Sequence, residues 1–376
     1  MSTNNQFPPE DPDNFSRRGS DHFRPKRKHH RVLWTILFML LILLAGGSAW
    51  AYHAYNDAKD TFNETYQTGS TNKLRNVSSQ LKKGKPISIL LLGTDTGALG
   101  RKDVGRTDTI IVATVNPKKE KVTLTSIPRD TMVTIKGDSL SQDKINAAYT
   151  IGGASTAVST VQSLLDVPID FYAIVNMGGL EKMVDAVGGV DVTPPLTFKY
   201  GAANVTKGKK VHLNGKQALS YSRMRHSDPK GDYGRQTRQR QIIEKLIMKA
   251  VSLGSVTRYK SILKSISGNM KTDLTFNDML TIASKYSDAS HHLKSQHLQG
   301  TSTMVNGVDY EVASNTELKK VSNSIRKALG IKDSTKFTTD ADNSSTTTSS
   351  DTTGTTDTTG GYGGTQQGPT QAPAGY

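Results

Sequence analysis

Between Val32 and Tyr52 the chain reads VLWTILFMLLILLAGGSAWAY without a formal charge, and no other stretch limits its folding so tightly. About 20 apolar residues are what a helix needs to cross the hydrocarbon core of a bilayer. Inside that core a single segment satisfies its backbone only as a helix. RPKRKHHR at residues 24–31 precedes the run, with Arg17 and Arg18 further back, whereas Asp57, Lys59 and Asp60 follow it with no cationic excess. The positive-inside rule therefore puts the N-terminus in the cytoplasm and everything after Tyr52 outside the cell membrane. A secretory signal peptide competes, because Ala49-Trp50-Ala51 has the small-x-small form of a cleavage site. The run exceeds the ~7–15 apolar residues of a signal peptide, so an uncleaved, single-pass signal anchor is expected.

That topology divides the chain. Residues 1–31 are polar and basic and read as a disordered cytoplasmic tail. Residues 32–52 are the transmembrane helix, and residues 53–85, rich in Lys, Asn, Ser, Thr and Gln, read as an extracellular stem. Residues 86–332 form the external domain. From 333 to 376 the chain is rich in Ser, Thr and Gly, with no Leu, Ile, Val or Met, and reads as a disordered tail. The domain has no cysteine, so its stability comes from an apolar core, without disulfides or thiolate metal sites. The histidine pairs 29–30 and 291–292 lack metal-ligand spacing.

Within the domain, ISILLLGTD from Ile87 reads as a buried strand running into a loop, with further strands near 109–115, 121–127 and 171–176. Helices are expected at 155–165, 178–187, from Thr237 onward, near 259–267 and at 276–286. Asn306-Gly307 marks a hairpin, and Ser314 with Glu317 a capping box opening a last helix. Alternating strands and helices predict an α/β domain, with α+β as the variant, whose central mixed sheet is covered by helices.

The densest polar pattern is YSRMRHSDPKGDYGRQTRQRQ from Tyr221 to Gln241. Arg223 and Arg225, two apart, would share one face of a strand, while Arg235, Arg238 and Gln239 open a helix. Guanidinium forks make paired, charge-assisted bonds to phosphate oxygens, so the array suits a diphosphate; a surface salt-bridge face is the bland alternative. Three more clusters fall at expected strand ends, where open α/β sheets bind ligands. Asp95 with Arg106 and Asp108 either holds a hard divalent cation such as Mg²⁺ or caps turns and pairs with Arg106 and Arg101. Arg129 and Asp130 follow a buried strand, either as phosphate ligand and partner or as an ordinary ion pair. Lys144 either reaches a phosphate or is solvated. The segment GTDTGALGRK at Gly93 lacks the Gly-Lys-Ser/Thr ending of a phosphate-binding loop.

The ordered set GTD, GRTDT, SIPRDT, KINAAY, VDAVGGVDV, LNGKQALSYSRMR and GDYGRQTRQ resembles the LytR-CpsA-Psr family over roughly residues 86–250. The resemblance implies a cell-wall phosphotransferase of Gram-positive bacteria. Such an enzyme moves an anionic glycopolymer, teichoic acid or capsular polysaccharide, from an undecaprenyl diphosphate carrier to peptidoglycan, forming a phosphodiester. It implies Mg²⁺ on Asp95 and Asp108. The diphosphate would be gripped by Arg106, Arg129, Arg223, Arg225, Arg235 and Gln239, with Lys144, Arg238 and Asp232 in support. Asp95, Asp108, Arg129, Arg223, Arg225 and Arg235 form the expected catalytic set, and Asp95, Asp130 and Asp232 are candidate bases. An apolar channel for the lipid would lie between sheet and helices, with the stripe Ile242–Ala250 as lining or as core. The rival readings are a membrane-bound transcriptional attenuator and a non-catalytic binder of polyprenyl diphosphate glycans. Nucleic acid is disfavoured, because no helix-turn-helix or zinc-finger pattern is present and the domain is expected outside the cell.

Overall fold

The computed structural model describes residues 71–95, 105–252 and 268–337, with 52, 53, 55–57, 59, 60, 66 and 67. The apolar run up to Ala51, the basic tail before it and the helix expected near 259–267 lie outside these residues. Among the described residues no helix is long and apolar enough to cross a membrane. The described residues from Tyr52 to Asp60 are helical and belong to a unit separate from the domain.

Six strands form the central sheet: β1 (Ile87–Thr94), β2 (Thr107–Asn116), β3 (Lys121–Ser126), β4 (Phe171–Asn176), β5 (Met270–Thr272) and β6 (His292–His297). They lie in the order β5-β4-β1-β2-β3-β6. β1 and β4 are parallel, as are β3 and β6, while β1–β2, β2–β3 and β4–β5 are antiparallel. The sheet is therefore mixed. The C-terminal ends of β1, β3, β4 and β6 and the N-terminal end of β2 share one edge.

The helices are α1 (Val77–Lys82), α2 (Ala147–Leu165), α3 (Met177–Ala186), α4 (Gly215–Arg223), α5 (Gly231–Ser252), α6 (Phe276–Lys285) and α7 (Asn315–Leu329). Alternation along each strand sends successive side chains to opposite faces. Leu90, Leu92, Ile110 and Val112 pack with α2 and α7, through Val158, Val161, Val321 and Ile325. Ile111, Ala113, Val122 and Leu124 turn to the other face, against Ile243 and Ile247 of α5. Continuous apolar strands with helices on both faces make a three-layer α/β/α domain. A satellite lobe carries its own core, in which Val190, Val192, Phe198 and Leu213 pack on α4 and α5 through Tyr221 and Ile242.

The structure departs from expectation in identifiable places. The helix expected at 155–165 is the second segment of α2; Gly152 and Gly153, with non-helical backbone, separate it from a first segment opening at Ala147, where no helix is expected. β6, HLKSQH, carries no apolar alternation and no strand is expected there; it pairs on one side only, with β3, and all its side chains stay exposed or half-buried. The second half of the expected stem is part of the domain. Arg75 Nε donates to Asp170 at 2.7 Å, Lys73 bonds Asp273 at 2.5 Å, and Leu81 is buried against Ile87 and Phe171. The folded region also runs past the expected start of the C-terminal tail. Ser334 N donates to Asn323 Oδ1 at 2.8 Å and Phe337 is buried. The capping box at α7 is half formed: Ser314 accepts from Glu317 N, but the Glu317 carboxylate takes Gln299 N and Lys320 instead.

Candidate active site at the sheet edge

The site is built where β1 and β2 meet. Gly93 pairs with Thr109 and Thr94 with Thr107, so the register slips and Asp108 stands opposite no residue. A bulge of this kind re-aims a side chain, and here the side chain is the carboxylate expected to meet a cation. Gly93 is required beside it, because a Cβ there would lie 2.9 Å from Thr109 Cβ. Asp95 follows β1 directly at the same edge and is half-buried.

Arg129 leaves the end of β3 and donates from Nη1 to Asp108 Oδ1 at 2.7 Å. Its Nε lies 3.4 Å from Asp130, whose other oxygen holds Lys144 Nζ at 3.1 Å. Backbone bonds lock these pieces together: Asn146 N donates to Arg129 O at 3.2 Å, Ile145 N to Thr131 O at 2.9 Å, and Thr107 N to Asn146 O at 3.4 Å. Three motifs separated in the chain thus become one bonded loop cluster.

Arg235 comes from the second turn of α5. It pairs with Asp232 and reaches Asp108 O at 3.5 Å. Burial lowers its pKa, Asp232 and Asp108 oppose that, and the nearby charges of Arg129 and Arg225 reinforce it. For Arg129 burial also disfavours the charge, but the hydrogen bond it donates to Asp108 and the fields of Asp108, Asp130 and Asp232 outweigh it and raise the pKa. Arg129 and Arg225 thus lie close enough to Arg235 to act on its charge. The Nε atoms of Arg129 and Arg235 are buried without a hydrogen-bond partner. Buried donors without a hydrogen bond are rare in native structures; Arg129 Nε still has the Asp130 carboxylate 3.4 Å away, so Arg235 Nε is the one best placed to take an anionic acceptor.

Arg223 and Arg225 do not lie on a strand. α4 ends at Arg223, and Arg225 follows in the turn toward α5. Between them Met224 is buried in extended backbone, so both arginines flank an anchored residue. Arg223 is exposed, as is Arg106 just before β2; Gln239, one turn beyond Arg235, is half-buried. Arg238 has another task. Its side chain is wholly buried, with Nε donating to Tyr221 O at 3.1 Å, the other nitrogens on Met224 O and Asp228, and the guanidinium 5.4 Å over the Phe198 ring. It fixes the segment carrying Arg223 and Arg225 instead of facing a ligand. The stripe on α5 is likewise divided: Ile242 and Leu246 face the lobe, Ile243 and Ile247 the sheet.

Three residues at the site carry no role in the sequence reading: Tyr233 sits inside the GDYGRQTRQ motif without an assigned task, and Tyr310 and Glu311 lie outside every motif. Tyr233, in the first turn of α5, donates to Glu311, whose backbone N donates to Asp130 O at 2.9 Å. Tyr310 lies under Lys144, 5.9 Å from Nζ to ring centroid. All three contacts join α5 and the hairpin Thr301–Val305/Val308–Val312 to the Asp130 loop, over sequence separations too long for any local motif. Burial, then the Glu311 hydrogen bond, push the Tyr233 hydroxyl far above its usual range, which keeps it a donor.

Comparison with known proteins shows which family the chain belongs to. The chain is 45% identical over 306 residues to the polyisoprenyl-teichoic acid–peptidoglycan teichoic acid transferase TagU of Enterococcus faecalis, covering 81% of this chain and 99% of the relative. A crystal structure from Enterococcus faecalis, described as a transcriptional regulator, superposes with a TM-score of 0.60 at 42% identity, covering 69% of this chain and 92% of that one. TagT bound to LI-WTA superposes with a TM-score of 0.56 at 26% identity, covering 69% and 94%. The model of the LytR_cpsA_psr family matches residues 51–327. The chain belongs to the LytR-CpsA-Psr family.

Proposed function

We propose that the protein is a membrane-anchored phosphotransferase that moves an anionic glycopolymer of the teichoic acid type from a polyprenyl diphosphate carrier to peptidoglycan. The observation that carries this reading is the pair Arg129 and Arg235 converging on Asp108, with the buried Nε of Arg235 lacking a hydrogen-bond partner. The name of the Enterococcus relative supports it.

Arg129 and Arg235 approach from different elements, so a diphosphate bridging them would be held in a fixed orientation. Their charges, with those of Arg106, Arg223 and Arg225, oppose the negative charge that grows on the departing polyprenyl phosphate. Preorganised electrostatics of this kind commonly supply most of an enzyme's rate enhancement, and phosphoryl transfer needs little beyond position and charge. The acceptor sugar hydroxyl attacks the glycan-bearing phosphorus and loses its proton. The bond from that phosphorus to the bridging oxygen breaks, and polyprenyl phosphate leaves. Asp95, Asp130 and Asp232 are the candidate bases. Asp232 is occupied by Arg235 and Gln236, and Asp130 by Arg129 and Lys144.

Asp95 and Asp108 fit Mg²⁺, as hard oxygen ligands on adjacent strand ends; among the described residues no group of three or more acidic or histidine side chains is gathered, and Mg²⁺ typically takes only one or two carboxylates plus phosphate oxygens. Bound there, the ion supplies charge neutralisation at the diphosphate. Half-buried Ile89, Leu91 and Val115 on the sheet, facing Ile243 and Ile247, offer apolar surface for the carrier lipid. The run at Val32–Tyr52 supplies the anchor, with the domain outside.

The test is transfer of labelled glycan from a synthetic polyprenyl diphosphate donor to peptidoglycan. We expect Mg²⁺-dependent label on the glycan strands, lost by ~10²–10³-fold in Arg129→Ala, the scale of removing one transition-state donor. Tight donor binding without transfer would make the protein a binder, and release of free glycan phosphate would make it a hydrolase.

A further inference from the structure

We propose that the satellite lobe of residues 190–216 is a second binding platform, for the phosphodiester backbone of the transferred polymer beyond its diphosphate end. This rests on the function proposed above and extends it from the reacting diphosphate to the chain attached to it.

The lobe holds Lys199, Lys207, Lys209, Lys210 and Lys216, with no arginine, no glutamate and only Asp191 as a carboxylate. All five lysines are exposed. Asp191 is already taken by Lys210 at 3.2 Å and His212 at 2.8 Å, so it neutralises little of the rest.

The lysines stand on a rigid support joined to the arginine segment. Phe198 stacks on Tyr221 with centroids 5.7 Å apart, and the buried Arg238 guanidinium lies over the same ring. Ala202 N donates to Ser220 Oγ at 3.1 Å, and a Cβ on Gly201 would lie 2.7 Å from that oxygen. Ser220 precedes Arg223 by three residues, about 4.5 Å along the helix axis. Lys199 and Tyr200 thus begin a basic surface about one helical turn from the expected diphosphate ligands. A polymer with a phosphate in every repeat, leaving the arginines over this hairpin, would meet point charges without needing a pocket.

The lobe is built less well for a membrane. Membrane-binding basic surfaces combine lysines with inserted aromatic and aliphatic side chains. Here Tyr200 is the one large apolar side chain among the exposed lobe residues, and the exposed residues next to it in the hairpin are Gly201, Ala202 and Asn204.

The experiment uses the full-length chain in detergent micelles and lipid-free poly(glycerol phosphate) of defined length, bound over a salt series. The lobe variant combines Lys199→Gln, Lys207→Gln, Lys209→Gln, Lys210→Gln and Lys216→Gln. The control removes five exposed lysines elsewhere: Lys82→Gln, Lys83→Gln, Lys85→Gln, Lys118→Gln and Lys119→Gln. We expect the lobe variant to bind at least about tenfold more weakly than the control, and the slope of log affinity on log salt to fall by about two, as for three lost phosphate contacts on a single-stranded polyanion. Equal losses in the two variants would overturn the proposal. So would unchanged polymer binding with lost binding to phosphatidylglycerol vesicles, which would assign the lobe to the membrane. A donor bearing the diphosphate and a neutral sugar, without polymer phosphates, separates the two readings. The lobe variant should transfer it as wild type does; failure of wild type to transfer it would count against the phosphotransferase, and leaves the polymer-binding comparison to decide the lobe.

Discussion

Arg235 and Arg238 are three residues apart in one helix, and the structure gives them opposite fates. Arg235 turns toward Asp108 with an unpaired buried Nε, and Arg238 is enclosed by carbonyls and Asp228. Arg235→Ala should therefore abolish transfer while costing less stability than loss of Arg238, because Asp232 is less buried than Asp228 and keeps Gln236 as a partner. Arg238→Met should lower stability by about 3–5 kcal/mol, because Asp228 would remain largely buried without its cation. Equal stability of the two variants in urea titration would contradict this division. Asp170 poses the same problem at the far sheet edge. It is wholly buried, receiving Ser88 N at 2.8 Å as well as Arg75. Asp170→Ala should cost a similar ~3–5 kcal/mol and expose the segment at Arg75 to proteolysis, with little change in donor affinity for whatever protein remains folded.

Among the elements, α4 depends on a close approach to α3. A Cβ on Gly215 would fall 2.2 Å from Glu181 O, a backbone atom that cannot rotate away. Gly215→Ala should lower stability by about 1–3 kcal/mol, the usual scale of overpacking, and should also weaken donor binding, because α4 ends in Arg223. Thermal unfolding and donor affinity, measured on the same variant, check both. The strands are legible wherever they are buried: β4 is expected at its observed bounds because FYAIVN is apolar and flanked by breakers. β6 is not, because an edge strand with polar side chains leaves no periodic mark. The Arg223–Arg225 pair misleads for a related reason. Spacing by two suggests a strand face, but the capping box at Asn214 and Gln217 has already started a helix that ends at Arg223.

For the whole molecule, the chain's topology governs which substrate the site can meet. A reporter fused after Tyr376 should read out on the external face in a bacterial host, and a cytoplasmic signal would revive the regulatory reading. The stem contacts add a constraint. Because the folded region already includes Asn72, which accepts from Gln162 at 3.1 Å, the span between the expected anchor and the domain is shorter than composition suggests.

Local pattern is enough for the mixed α/β class, the motif order that marks the family, and the residue types of the site, because buried strands and anion-binding arginines leave short-range marks. Folding had to settle which arginines face one another, that a bulge frees Asp108, that Arg238 is a staple, and that Tyr233, Tyr310 and Glu311 join the site. These depend on contacts between residues tens to hundreds of positions apart, which no local period records.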